Sequence, residues 1–79
     1  MITWHTDRDR LVGFLRRGDG TGTIEISLRV YGRPFVNVEA WRRGVQIVAA
    51  FYRGPDGRDK HTLLLHARSV VELLLGGAK

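Results

Sequence analysis

"VNVEAWRRGVQIVAAFY", residues 36–52, places two runs of alternating apolar residues on either side of "RRG". Alternation with period two marks a half-buried strand, because successive side chains leave opposite faces of the sheet. Val36, Val38 and Ala40 make one inward row, and Val45, Ile47, Ala49 and Phe51 are expected to make the next. Phe35, Asn37, Glu39 and Trp41, then Gln46, Val48, Ala50 and Tyr52, are expected to point outward. The stretch therefore predicts a hairpin whose outer face carries aromatic and polar groups.

Upstream the same period continues. Ile24, Ile26, Leu28 and Val30 alternate with Glu25, Ser27, Arg29 and Tyr31, and "YGRP" turns the chain into residue 35. Downstream, "RGPDGRD" is a turn signal, since Pro55 pre-sets φ and Gly57 accepts φ > 0. "KHTLLLH" then reads as a fourth strand, and "ARSVVELLLGG" as a helix of two to three turns ended by Gly76 and Gly77. Val70, Val71, Leu73, Leu74 and Leu75 surround a single Glu72, too apolar a set for a helix with one side in water. Either the sheet wraps that helix or a second protomer covers its back.

At the other end, Thr6 suits an N-cap, with Asp9 three residues on. Leu11, Val12, Phe14 and Leu15 share a helical face, and Gly18 suits the C′ position. A short amphipathic helix over 7–17 is the favoured reading, although "LVGFL" also fits a strand. "GDGTGT", residues 18–23, is a connection: it lacks the Gly-Lys-Ser/Thr ending of a phosphate loop. The expected fold is α+β: a four-stranded antiparallel meander over 24–66, a C-terminal helix over 67–77 across one face, and the N-terminal helix and Gly-rich linker over 1–23. At 79 residues this is one domain, near the size where one core is only marginally stabilising.

There is no cysteine, so neither a disulfide framework nor a thiolate metal site is available. No apolar run reaches the roughly 18 residues of a membrane span. "MITWHTDRDR" lacks the basic start and apolar core of a signal peptide, so a cytoplasmic protein without membrane contact is expected. The 13 Lys and Arg exceed the 8 Asp and Glu, and 11 of the 13 are arginine. Arginine binds phosphate bidentately and stacks on bases, which suits an anionic, planar partner. Arginine richness also follows from a GC-rich genome, so charge alone decides nothing.

No catalytic or metal constellation emerges. Ser27 and Ser69 have no histidine or acid in a recognisable relation. Glu25 and Glu39 are better placed to pair with Arg29 or Arg43 than to act as an acid–base couple. His61 and His66, five apart on the expected strand, would face opposite ways. The reading is of a non-enzyme without cofactor or metal. The outer row is the informative feature. Tyr31, Phe35, Trp41 and Tyr52 can stack bases, and Arg29, Arg33, Arg42, Arg43, Arg53 and Lys60 can reach phosphates. The competing account makes the aromatics cross-strand pairs or packing under the first helix.

From "GRPFVNVEA" through "RRG" and "VQIVAA" to "LLLHARSVVELLL", residues 24–75 resemble a PUR repeat of the Pur-alpha type. They are more loosely similar to the whirly proteins and positive cofactor four. Arg33 and Phe35, Val36-Asn37-Val38, Arg43-Gly44, Ile47, Leu63 and Leu65, and Glu72 fill the places of that pattern. Pro34 stands where an aromatic is usual, Val45 and Val48 where basic residues are frequent, and His66 where a Ser caps the final helix. The resemblance implies a twisted sheet crossed by a helix, single-stranded nucleic acid as ligand, and a homodimer formed through helices and sheet edges. The expected function is thus a single-stranded DNA- or RNA-binding protein of low sequence preference. The alternative is a phage- or plasmid-type accessory module that docks another protein.

Overall fold

The computed structural model describes residues 2–17 and 22–76, with the side chains of Arg17 and Gly76 left aside. Five strands follow one another as an antiparallel meander: β1 (Ile2–Asp7), β2 (Arg10–Arg17), β3 (Gly22–Gly32), β4 (Phe35–Arg42) and β5 (Val45–Arg53). A helix, α1 (Lys60–Val71), crosses one face and continues into a π-helical turn, Glu72–Gly76. The α+β class, the meander and the C-terminal helix match expectation, but the sheet has five strands rather than four.

The expected N-terminal helix is a hairpin. Ile2 pairs with Leu15 and Trp4 with Gly13, closing on Arg8–Asp9, where Arg8 takes the left-handed φ of 59°. Thr6, expected as an N-cap, lies opposite Leu11 in the ladder. The apolar cluster that looked like one helical face is split. Leu11 and Leu15 face α1, while Val12 and Phe14 point to the other side. A strand apolar on both faces loses its alternation, and a helix then fits the pattern equally well. Of the expected linker, residues 18–21 lie outside the described residues, and Gly22 and Thr23 already belong to β3.

The expected fourth strand, "KHTLLLH", is the first half of α1. Its N-cap is Asp59, whose Oδ1 accepts from the Thr62 backbone N–H at 2.7 Å. That hydrogen bond holds the Asp59 carboxyl below its ordinary value. Leu63, Leu64, Ala67 and Val71 are buried at helical spacing, so a signal for the longer helix was present in the sequence. The leucine run was too short to separate the two readings by itself. The place given by resemblance to a leucine strand, and His66 as the cap position, are corrected with it.

The core lies between α1 and one face of the sheet. Ile26, Leu28, Val36 and Leu63 are fully buried, with Ile2, Leu15, Ile24, Ala40, Leu64, Ala67 and Val71 around them. Burying a side chain of this kind contributes about 1.5–3 kcal/mol. α1 packs on β3 and β4. Its C-terminal end reaches β1, where the Trp4 indole N–H donates to Glu72 Oε2 at 2.9 Å. Beyond it Leu73, Leu74 and Leu75 are exposed, so the sheet does not wrap the end of the helix.

The predicted inward rows of β3 and β4 hold, and the row of β5 does not. Arg42 pairs with Val45 and Trp41 with Gln46, but Ala40 pairs with Val48, leaving Ile47 as the extra residue of a β-bulge. From that point the phase of β5 is inverted. Val48, Ala50 and Tyr52 lie opposite Ala40, Val38 and Val36 on the α1 side, while Ala49 and Phe51 lie on the outer side. One inserted residue moves every later side chain to the other face.

Candidate nucleic-acid interface

The outer face, opposite α1, carries the side chains left over from the core. At its β3–β4–β5 corner, Arg29, Asn37 and Phe51 stand side by side across three strands, and Phe35 stands opposite Arg53 in the next row. Tyr31 packs edge-on against Phe51, ring centroids 5.4 Å apart and planes at 61°. Tyr31 is 78% exposed, Phe51 61% and Phe35 41%. The corner exists because β3, at eleven residues, outruns its neighbours and carries Tyr31 past a register shift between Val30 and Gly32.

The arginines here are held loosely. Arg29 Nε lies 3.9 Å from Asp9, and Arg53 Nη2 lies 3.2 Å from Asp56, with all four side chains at least 60% exposed. Pairs of that kind are worth about 0–1 kcal/mol, so a phosphate can replace the carboxylate at little cost. Arg29, Val30, Tyr31 and Asn37 line one shallow depression. Arg33, in the β3–β4 turn, lines a second with Pro34, Asp56, Gly57 and Arg58.

The expected site residues fall into groups. Arg29, Tyr31, Phe35 and Arg53 come together at the corner, joined by Phe51, which the inverted phase of β5 brings there in place of Tyr52, while Arg33 stands in the adjoining β3–β4 turn beside Asp56–Arg58 and near the Asp59 cap. Tyr52 is half-buried on the α1 side, against the core, and leaves the outer face. Lys60 opens α1 rather than lying on the sheet. Trp41, Arg42 and Arg43 sit at the far end of the β4–β5 hairpin, roughly 20 Å along the strand from Phe35 at about 3.4 Å per residue. Arg43 and Gly44 form its two-residue turn, with φ of 54° and 78°.

Between these groups the outer face is acidic. Glu25 lies opposite Trp41, and Glu39, lying opposite Ser27 and Ala49, accepts from Gln46 Nε2 at 3.1 Å. The two carboxylates interrupt any continuous cationic track along β4. A second aromatic pair, which the sequence reading did not single out, lies toward the opposite edge: His5 stacks on Phe14 at 5.6 Å. Phe14 was read onto a helical face, and its contact with His5 becomes apparent only once β1 and β2 are paired.

The other reactive side chains have local partners. Ser27 is buried and accepts from Arg10 Nη1 at 3.4 Å, and Ser69 Oγ donates to the Leu65 carbonyl at 3.1 Å. His61 and His66 both lie on α1, about 140° apart around its axis at 3.6 residues per turn. Among the described residues no three His, Asp or Glu side chains converge as metal ligands. Nor is any helix there long and apolar enough to cross a membrane. No family model matches the chain, and neither curated proteins nor solved structures supply a relative or a structural neighbour.

Proposed function

We propose that the outer corner formed by Arg29, Tyr31, Arg33, Phe35, Phe51 and Arg53 binds single-stranded DNA or RNA with low sequence preference, as a cytoplasmic protein without catalytic activity. The observation that carries this reading is the exposure of Tyr31, Phe51 and Phe35 on one corner beside loosely paired arginines. Exposed rings offer stacking platforms to any base, and guanidinium groups beside them meet the phosphates. The resemblance of residues 24–75 to a PUR repeat points the same way. The acidic pair Glu25 and Glu39 favours a strand crossing β3, β4 and β5 at the corner over one running along β4 to Trp41.

Fluorescence anisotropy with labelled oligo-dT and oligo-rU at low and moderate salt tests the reading. Phe51→Ala and Tyr31→Ala are each expected to cost about 1–3 kcal/mol, roughly a five- to 150-fold loss of affinity. Tyr52→Phe, on the other side of the sheet, is expected to leave affinity unchanged. No binding at low salt, or binding indifferent to both aromatic substitutions, would overturn it.

The second reading is a protein-docking module of the accessory type. The observation favouring it is the apolar and acidic stretch of Ala49, Ile47, Glu39 and Glu25 beside the corner, a mixture suited to another protein's surface. It predicts that Phe51→Ala weakens a protein complex and leaves oligonucleotide titrations flat.

A further inference from the structure

One cross-strand row on the outer face runs the full width of the sheet. Phe51 lies opposite Asn37, Asn37 opposite Arg29, Arg29 opposite Arg10 and Arg10 opposite Asp7, so each strand contributes one residue. The aromatic corner occupies the β5 end of this row. At the β1 end, Asp7, Arg8, Asp9, Arg10 and Arg29 line one depression. Arg29 also lines the depression that holds Tyr31 and Asn37, so the two adjoin. From Phe51 to Arg10 is three inter-strand spacings, about 14 Å.

The depression at the β1–β2 turn has the chemistry of a phosphate seat. Arg10 is half-buried and fixed at two points: Nη1 donates to the buried Ser27 Oγ at 3.4 Å, and Nη2 to Asp7 Oδ2 at 3.1 Å. A guanidinium has five N–H donors, so three remain for a ligand, and the side chain is already ordered before the ligand arrives. Arg29 is held by Asp9 only at 3.9 Å. Arg8 takes a φ of 59°, which glycine would adopt with less strain, so the turn itself does not call for an arginine there. Three guanidinium groups against two carboxylates leave one net positive charge. That balance complements a single phosphodiester rather than a doubly charged terminal phosphate.

We propose that this depression seats a backbone phosphodiester of the strand held at the aromatic corner, with Arg8, Arg10 and Arg29 as its donors. The inference rests on the single-strand reading above and gives that strand its path: along the row from Phe51, over Arg29, to the β1–β2 turn. Glu39 and Glu25 stand one and two rows away, toward the far end of the sheet, so this path passes neither carboxylate. Arg8 and Arg10 also lie outside residues 24–75, the stretch that resembles a PUR repeat.

NMR titration of the ¹⁵N-labelled chain with a thymidine dinucleotide and with an oligo-dT octanucleotide tests the path. The dinucleotide, with one phosphodiester, is expected to shift the amides of Tyr31, Asn37 and Phe51 and to leave Arg8–Arg10 unmoved, and the octanucleotide to shift both sets. Arg8→Gly suits the turn and so keeps the fold. It is expected to lower octanucleotide affinity roughly three- to tenfold at low salt and to flatten the salt slope by about 0.7, leaving dinucleotide affinity unchanged. Arg16→Ser, which removes the same charge at the far end of β2, is expected to change neither. Unchanged octanucleotide affinity and slope in Arg8→Gly, an equal loss in Arg16→Ser, or a poly-glutamate peptide that shifts the turn amides more than the octanucleotide does would each overturn the phosphate seat. In any of these cases octanucleotide binding sensitive to Phe51→Ala would leave the corner standing.

Discussion

Gly13 shows how much one position can constrain. A Cβ added there would lie 2.7 Å from Cε3 and Cζ3 of Trp4 and 2.9 Å from Cγ2 of Ile2. The Trp4 ring lies across its cross-strand partner, and it is held there from above. Its indole N–H binds Glu72, and the Arg68 guanidinium sits 5.8 Å from the ring centroid and 3.6 Å from Glu72. Relieving the clash by moving the ring would pull it from both partners. Gly13→Ala is expected to cost about 1–3 kcal/mol, the usual range for overpacking a filled site. Urea unfolding followed by tryptophan fluorescence would measure it, and an unchanged midpoint would show that the ring is free to shift. In the sequence Gly13 is visible only as a weak point in an expected helix. Its partner, nine residues earlier, becomes apparent only once β1 and β2 are paired.

At the scale of elements, α1 begins where Asp59 caps it. The Thr62 N–H favours the ionised carboxylate, so the folded-state value lies below the ordinary 3.8. The sign of the linkage follows. The cap's contribution is fully present above pH 3.8 and is lost as pH falls through the lowered folded value, because the unfolded chain takes up the proton first. Asp59→Asn keeps a capping oxygen without the charge, and is expected to flatten that part of the acid unfolding curve. An identical acid transition in both proteins would refute this. Asp59 and the spacing of Leu63, Leu64, Ala67 and Val71 make α1 legible from sequence, against the strand reading of "TLLLH". The phase of β5 is not legible in the same way. The alternation of Val45, Ile47, Ala49 and Phe51 is regular in sequence, and only the pairing with β4 shows Ile47 standing outside the ladder.

For the whole molecule, a net charge of +5 overstates what any one ligand can meet. Arg10 pairs with Asp7 and Arg68 with Glu72, while Glu25 and Glu39 divide the outer face. The corner and the turn adjoining it offer Arg29, Arg53 and Arg33. Three phosphate contacts predict a slope of log K against log salt near −2, at about −0.7 per contact for a single strand. Oligonucleotide titrations across a series of salt concentrations would measure it. A slope near zero would remove phosphate contact from the account.

The sequence by itself determined the alternating core rows of β3 and β4, the outward direction of Tyr31, Phe35 and Trp41, the helix at the C-terminal end and the excess of arginine. These are local properties, set by side-chain period and composition. The tertiary structure alone decided that residues 2–17 are a hairpin, that Phe51 rather than Tyr52 joins the corner, and that Trp41 lies far from it. Each depends on which strand lies opposite which. A two-sided apolar strand and a bulge leave the local pattern ambiguous or unchanged, so only the partner strand resolves them.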